Sequence, residues 1–291
     1  MHRLALTAAL LIAPAAAEAG ACCMGATTTL PARVGPCEKG IALVSVVGEA
    51  AIGRWDNATR SRPTALRETG VLTTVGLGVG LTRRWQLGAT LPGRWNQRRI
   101  GDQQSTGLGF GDVRVQALHV LREGRPRVMD TPARPDVLLG FGLRLPTGRS
   151  WHRSDDALLA DVTGLPGPAG TFFLGVEQTT TGDLPWFVGL SGEVGGLRRQ
   201  VFGLFTATGG VGQYLGNQWT ILGLLSHTAT IGAFQDALGH AAATTAGLRV
   251  VTGRTLAWRG WINLSVDLPI PGLGRDRQQL FVGGGGIAAV W

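Results

Sequence analysis

The chain has 291 residues, of which 44% are hydrophobic and only 16% charged, with 46 glycines and a formal net charge of +8. A soluble domain would carry about 25% charged residues, and a helical membrane protein would show apolar runs of about 20 residues; beyond the N-terminus there are none. The basic excess is almost all Arg, with Lys39 the exception, and it is scattered over the chain, which argues against a nucleic-acid partner.

The first residues combine a basic start (His2, Arg3), an apolar run from Leu4 to Ala17 and the small-residue site Ala17-Glu18-Ala19. That pattern predicts a signal peptide over 1–19, removed on export. An N-terminal periplasmic segment over 20–40 follows, carrying Cys22, Cys23 and Cys37. In an oxidising compartment Cys37 is expected to pair with Cys22 or Cys23, with Cys23 the candidate partner and one thiol left over. Ala19-Gly20-Ala21-Cys22 resembles a lipobox only weakly, because the large apolar residue three before the cysteine is missing. No histidine lies near enough to suggest a metal, and no cofactor motif is present.

From residue 41 to 291 the pattern alternates apolar and polar with period two. Twelve segments are expected, beginning near Ala42, Val71, Arg84, Phe110, Val137, Thr171, Trp186, Gly203, Trp219, Ala241, Leu256 and Leu280. The fold class predicted is all-β, a transmembrane antiparallel up-and-down β-barrel of about 12 strands, whose even count leaves both termini on one side. Five tryptophans, Trp85, Trp186, Trp219, Trp258 and Trp291, stand at one end of these segments, as an aromatic girdle on the periplasmic rim would. Trp55 and Trp95 mark the outer rim. Stepping by two from the tryptophans gives apolar residues, for example Trp258, Gly260, Ile262, Leu264 and Val266, while the intervening face is polar.

A charged side chain facing the bilayer midplane costs roughly 2 to 4 kcal/mol, so the register follows from the charges. Asp112, Arg114, Arg144, Glu177, Glu193, Arg249, Arg259 and Asp267 all fall on the face predicted to line the lumen. Short connections (Thr82-Arg83, 181–184, Gly216-Asn217, 252–254) alternate with longer ones (56–67, 97–108, 147–170, 230–240, 269–277). Arg122 to Pro135 and Leu197 to Gln200 break the alternation. The 147–170 connection is expected as a solvated external loop, with a constriction folded into the barrel as the other reading. Glycine clusters such as Gly76, Gly78, Gly80 and 283–286 precede no helix pattern, so they suit curvature better than phosphate binding.

Three stretches in order, Gly80 to Gly88 with Leu91-Pro92, Gly109-Phe110-Gly111-Asp112, and Leu143-Arg144-Leu145-Pro146-Thr147-Gly148, resemble a family of outer-membrane proteins associated with the MetA pathway of phenol degradation. The resemblance covers roughly residues 70 to 150. It implies an outer-membrane barrel that passes small organic compounds, and it carries Asp112 as a family feature without any catalytic residue.

The leading expectation is therefore a passive channel, transporter-like, in the bacterial outer membrane for small solutes, aromatic or hydrophobic ones included, and not an enzyme. Its partners are expected to be outer-membrane lipid and lipopolysaccharide, the assembly machinery that reads the aromatic C-terminus, and the solute. One alternative is a barrel-embedded hydrolase, for which His119, His152, His227 and His240, with Ser226-His227 and Ser150-Trp151-His152, are the sparse material. Another is a structural or adhesive barrel acting through its external loops.

Overall fold

In the computed structural model the described residues are 33–34, 38–55, 61–63, 65–124, 134–150, 153–165, 167–178, 184–197, 200–215, 219–232, 242–252, 258–268 and 277–291. They form β1 (Gly40–Trp55), β2 (Ser61–Arg62), β3 (Leu66–Gly80), β4 (Trp85–Ile100), β5 (Gln103–Phe110), β6 (Val113–Arg122) and β7 (Asp136–Leu145). The second half contributes β8 (Ala169–Gln178), β9 (Trp186–Leu197), β10 (Gln200–Leu215), β11 (Trp219–Gly232), β12 (Ala242–Thr252), β13 (Trp258–Asp267) and β14 (Arg277–Val290).

Successive strands pair antiparallel all the way round, and β14 pairs with β1 to close the cylinder. β2 is a short hairpin arm on β1, and β5 and β6 occupy one stave because both pair with β4, so the fourteen strands make a closed barrel of twelve staves. Closure leaves no unpaired edge, which is the condition for β-structure in hydrocarbon. Eleven staves are single strands of 10 to 16 residues, enough to cross the apolar layer at a tilt of about 45°.

Alternation separates the two faces. Val188, Ile262 and Ile287 are 57%, 62% and 65% exposed, while Phe202, Leu222 and Ile41, one register step out of phase with their outward neighbours, are buried inside. Trp85, Trp219, Trp258 and Trp291 project outward at the end of the barrel that carries both strand termini Gly40 and Val290, and Trp186, half-buried, stands at the same end. The turn there is locally encoded: the Thr82 hydroxyl accepts from the backbone N–H groups of Arg84 and Trp85 at 3.2 and 3.0 Å.

Two features differ from the sequence expectation. The 97–108 connection is not a loop: β4 runs on to Ile100 and β5 returns from Gln103, so strand pairing continues beyond the aromatic belt. The polar residues that suggested a loop (Gln97, Arg98, Arg99, Gln103, Gln104) alternate and so remain compatible with a ladder standing in water. The second is a one-residue change of register on the shared stave. β4 pairs Gly93 with Phe110 but Thr90 with Arg114, so the Gly111-Asp112 step is a β-bulge that swaps which parity faces inward. In β5, Leu108 and Phe110 point out (80% and 69% exposed); in β6, Val115 does. Bulges re-aim side chains at functional places, and this one turns Asp112 into the barrel.

Candidate functional site

The interior divides into a mouth at the end that carries Gly40 and Val290, where Arg33 and Val34 lie, and an opposite half entered by a loop. At the mouth, Arg33 forms an ion pair with Glu177 on β8 and a second with Asp136 on β7 at 3.1 Å. Val34 exchanges two hydrogen bonds with the Gln86 side chain of β4, at 3.0 and 2.6 Å. Glu38 pairs with Arg259 of β13. Val34 itself is 2% exposed and packs on Ile41, Leu43, Ala288 and Val290. These contacts of Arg33, Val34 and Glu38 fall on β4, β7–β8 and β13, which are well-separated staves of the barrel. Cys22, Cys23 and Cys37 lie outside the described residues.

The other half is organised by Asp112. Its Oδ2 accepts from Arg144 Nη1 at 2.5 Å and from the Leu165 N–H at 2.8 Å, and its Oδ1 accepts from the Gly148 N–H at 2.9 Å. One carboxylate thus holds the beginning and the end of the 147–165 loop and neutralises a guanidinium that is 1% exposed. Arg144 also donates from Nε to Glu193 of β9 at 2.5 Å, stacks over the Phe202 ring with its Cζ 5.5 Å from the centroid, and shares Glu193 with Arg114 at 3.2 Å. Burying charge this deeply is sustainable only because each is paired and hydrogen-bonded.

Residues 158–165 of this loop lie against the inner wall, not in bulk solvent, which corrects the expectation of a solvated loop. Asn96, 1% exposed on the inward face of β4, donates to the carbonyls of Ala160 and Val162 at 3.1 and 3.2 Å. Arg98, paired with Glu68, donates to those of Leu158 and Leu159. Leu165 packs onto Phe202 and Ala169. Close approach needs missing side chains: a Cβ on Gly107 would collide with the Ala160 carbonyl, and one on Gly164 with the Asp112 carboxylate. Leu159 has φ +57°, a left-handed conformation costly for a branched side chain, held here by the Arg98 bond to its carbonyl. Which residues hold the loop is not readable from residue types, because the acceptors are backbone carbonyls, which any residue supplies.

Charges in the loop are tied within it and to Ser105 on β5. A hydrogen bond from the Ser105 hydroxyl, with the N–H groups of Leu158 and Ala160, holds the Asp156 carboxyl below its usual range. Burial pushes Asp161 up, but hydrogen bonds from Ser154 and Arg149 outweigh it and leave that carboxyl lowered.

The remaining predicted lumen residues are placed as follows. Arg249 donates to Asn263 at 2.5 Å across β12 and β13, and Asp267, 3% exposed, accepts from the Leu280 N–H at 3.1 Å. Glu177, Glu193 and Arg259 are 3%, 4% and 5% exposed, and each is ion-paired. Sequence periodicity could not indicate which of these charges meet, because partners such as Arg33 and Glu177 are 144 positions apart. Ser226 and His227 occupy opposite faces of β11; the hydroxyl contacts Thr208 and the imidazole Nδ1 contacts Thr244. His119 lies against Trp85, ring centroids 4.3 Å apart. His152 and His240 lie outside the described residues.

Between the loop and the inner faces of β3, β4 and β6 there is a cavity of about 320 Å³, lined by Arg94, Arg114 and Arg144 together with Leu72, Pro92 and Leu165. Such a volume falls at the lower end of small-molecule sites, roughly 300 to 1,000 Å³.

This architecture is that of the outer-membrane β-barrels. The chain is similar to an outer membrane channel from Pseudomonas putida F1, with a TM-score of 0.59 at 17% identity over 87% of this chain and 96% of that one. The β domain of the Bordetella autotransporter BrkA matches with a TM-score of 0.54 at 13% identity, over 87% and 100%. The NanC porin matches with a TM-score of 0.50 at 13% identity, over 84% and 98%. No family model and no curated protein matches the sequence.

Proposed function

We propose that this protein is an outer-membrane channel for small solutes, exported by removal of residues 1–19 and belonging to the family associated with the MetA pathway of phenol degradation. The observation that carries the channel reading is the two-faced wall: an apolar exterior around an interior that keeps ionised Arg and carboxylate pairs beside a small-molecule cavity. A barrel needed only as a membrane anchor gains nothing from retaining such pairs, which often stabilise no better than apolar residues of the same volume. The fold shared with a Pseudomonas putida channel and a porin supports the same reading. Family membership is supported by the way the similar stretches meet in space: Thr147 donates to the Gly111 carbonyl at 2.8 Å, and Gly148 to Asp112.

The pore is narrow, because Arg33 and Val34 lie in the mouth at one end and residues 158–165 occupy part of the opposite half. Solutes of small cross-section, aromatic or hydrophobic ones among them, fit that passage. Swelling of proteoliposomes in neutral solutes of increasing size tests the proposal. Permeation that falls off steeply with size supports it, and protein-containing vesicles as tight as empty ones would overturn it.

A further inference from the structure

Hydrogen-bond supply in the outer cavity is one-sided. The carboxylate that lines it, Asp112, already accepts from Gly148, Leu165 and Arg144, and the neighbouring Glu193 accepts from Arg144 on one oxygen and Arg114 on the other. Its guanidinium groups are not. Arg114 spends only Nη2, on Glu193, and among the described residues neither its Nε nor its Nη1 has a partner. Arg94 uses Nε on Asn96 and Nη2 on Glu49, keeping Nη1. Arg144, 1% exposed, has a buried Nη2 with no partner among the described residues. Unspent donors from three guanidinium groups therefore belong to residues lining one cavity, whose lining carboxylate already accepts three hydrogen bonds. Beside them Leu72, Pro92 and Leu165 supply an apolar surface.

We infer that this cavity is a transit site for small organic monocarboxylates with an apolar body, an aromatic or short aliphatic acid, with Arg114 as the docking group. The planar fork of a guanidinium matches a carboxylate through two parallel hydrogen bonds; Arg114 can offer one through the second hydrogen of Nη2 together with Nε or Nη1, and its side chain is 26% exposed. A cation would meet a cluster of guanidinium groups and a carboxylate already held by Arg144, and a neutral alcohol would leave most of the donors unpaired, a loss that discriminates strongly in a partly buried site. Charge keeps the binding weak enough for passage. Arg94, Arg98, Arg114 and Arg144 are balanced by Glu49, Glu68, Asp112 and Glu193, four against four, so an entering anion is held by geometry more than by net field. A channel site must bind well enough to admit and weakly enough to release. This inference names the solute class for the channel proposed above and rests on that reading for transit, but not for binding.

The experiment is fluorine NMR titration of refolded protein in detergent with 4-fluorobenzoate, 4-fluorobenzyl alcohol and 4-fluorobenzylamine at neutral pH. The benzoate is expected to bind at least tenfold more tightly than either of the others. Arg114→Gln is expected to abolish that preference, while Arg99→Gln at the outer rim leaves it intact. Retained heat-modifiable gel migration shows that each variant is folded, and Arg94→Gln, expected to weaken the benzoate by a smaller factor, provides a second variant should Arg114→Gln fail to fold. Equal binding of the three probes, or a preference unchanged in the folded Arg114 and Arg94 variants, overturns the inference. Benzoate binding in a protein whose vesicles stay tight overturns the channel and leaves the site; solute flux without probe discrimination does the reverse.

Discussion

Replacing Asp112 by Asn removes the charge that holds the inward loop while barely changing shape. The amide keeps one acceptor oxygen, but its NH2 must face either the Gly148 N–H or the Leu165 N–H with Arg144, donor against donor. Breaking a buried pair by removing one partner costs about 3 to 5 kcal/mol. Arg144 retains Glu193, so the lower end of that range applies to the wall, whereas the loop loses an anchor at both of its ends. At about 1.4 kcal/mol per tenfold, a loosening of about 3 kcal/mol raises the undocked population roughly a hundredfold. Planar-bilayer recording should then show a larger unitary conductance than wild type, and limited proteolysis should cut between residues 148 and 165 where wild type resists. Asp155→Asn, on an exposed carboxylate of the same loop, should do neither. Unchanged conductance together with unchanged protease resistance in a folded Asp112→Asn barrel would refute the anchoring role.

Gly107→Val should have a similar effect by a steric route, since its first carbon already meets the Ala160 carbonyl; conductance is again the readout, and a wild-type value would mean the loop does not pack there. Arg33→Ala leaves Glu177 buried at 3% exposure without its cation, a loss of about 3 to 5 kcal/mol, so urea unfolding should come at lower concentration and the mouth beside Gly40 and Val290 should conduct more. Acidification should release the loop: Asp156 and Asp161 are lowered in the fold, so their contribution is fully present above the ordinary value of 3.8 and disappears as pH falls through the folded values below it. Conductance should therefore step upward only below about pH 4, and a transition near neutrality would contradict that assignment. Ile262→Arg, on the outward face of β13, should destabilise the folded barrel by about 2 to 4 kcal/mol in a lipid-refolding titration.

Much of the barrel was legible because a strand with lipid on one side and water on the other writes its two faces directly into alternate residues. Trp186 and Trp219 are the first residues of β9 and β11 in both sequence and structure, since an interfacial tryptophan marks where hydrocarbon begins. Legibility ended where alternation ended. Gly111-Asp112 reads as a strand start, yet it is a bulge inside a continuous stave, and only the pairing of β4 with both β5 and β6 reveals it. The polar run from Gln97 to Gln104 resembled a loop because water surrounds a ladder that projects past the membrane. Loop docking was hidden for another reason: Asn96 and Arg98 recognise carbonyls, and carbonyls carry no sequence signature. Charges were assignable to the interior one by one, but their pairing depends on the curvature of the closed wall.

The account depends most on the opposition of the two faces, and nitroxide scanning along β13 (Trp258–Asp267) in lipid vesicles measures it directly. Labels at Gly260, Ile262 and Leu264 should be accessible to oxygen dissolved in the bilayer, and those at Trp261, Asn263 and Ser265 to a water-soluble nickel reagent, in strict alternation. A flat profile, or one with the two sets exchanged, would contradict it.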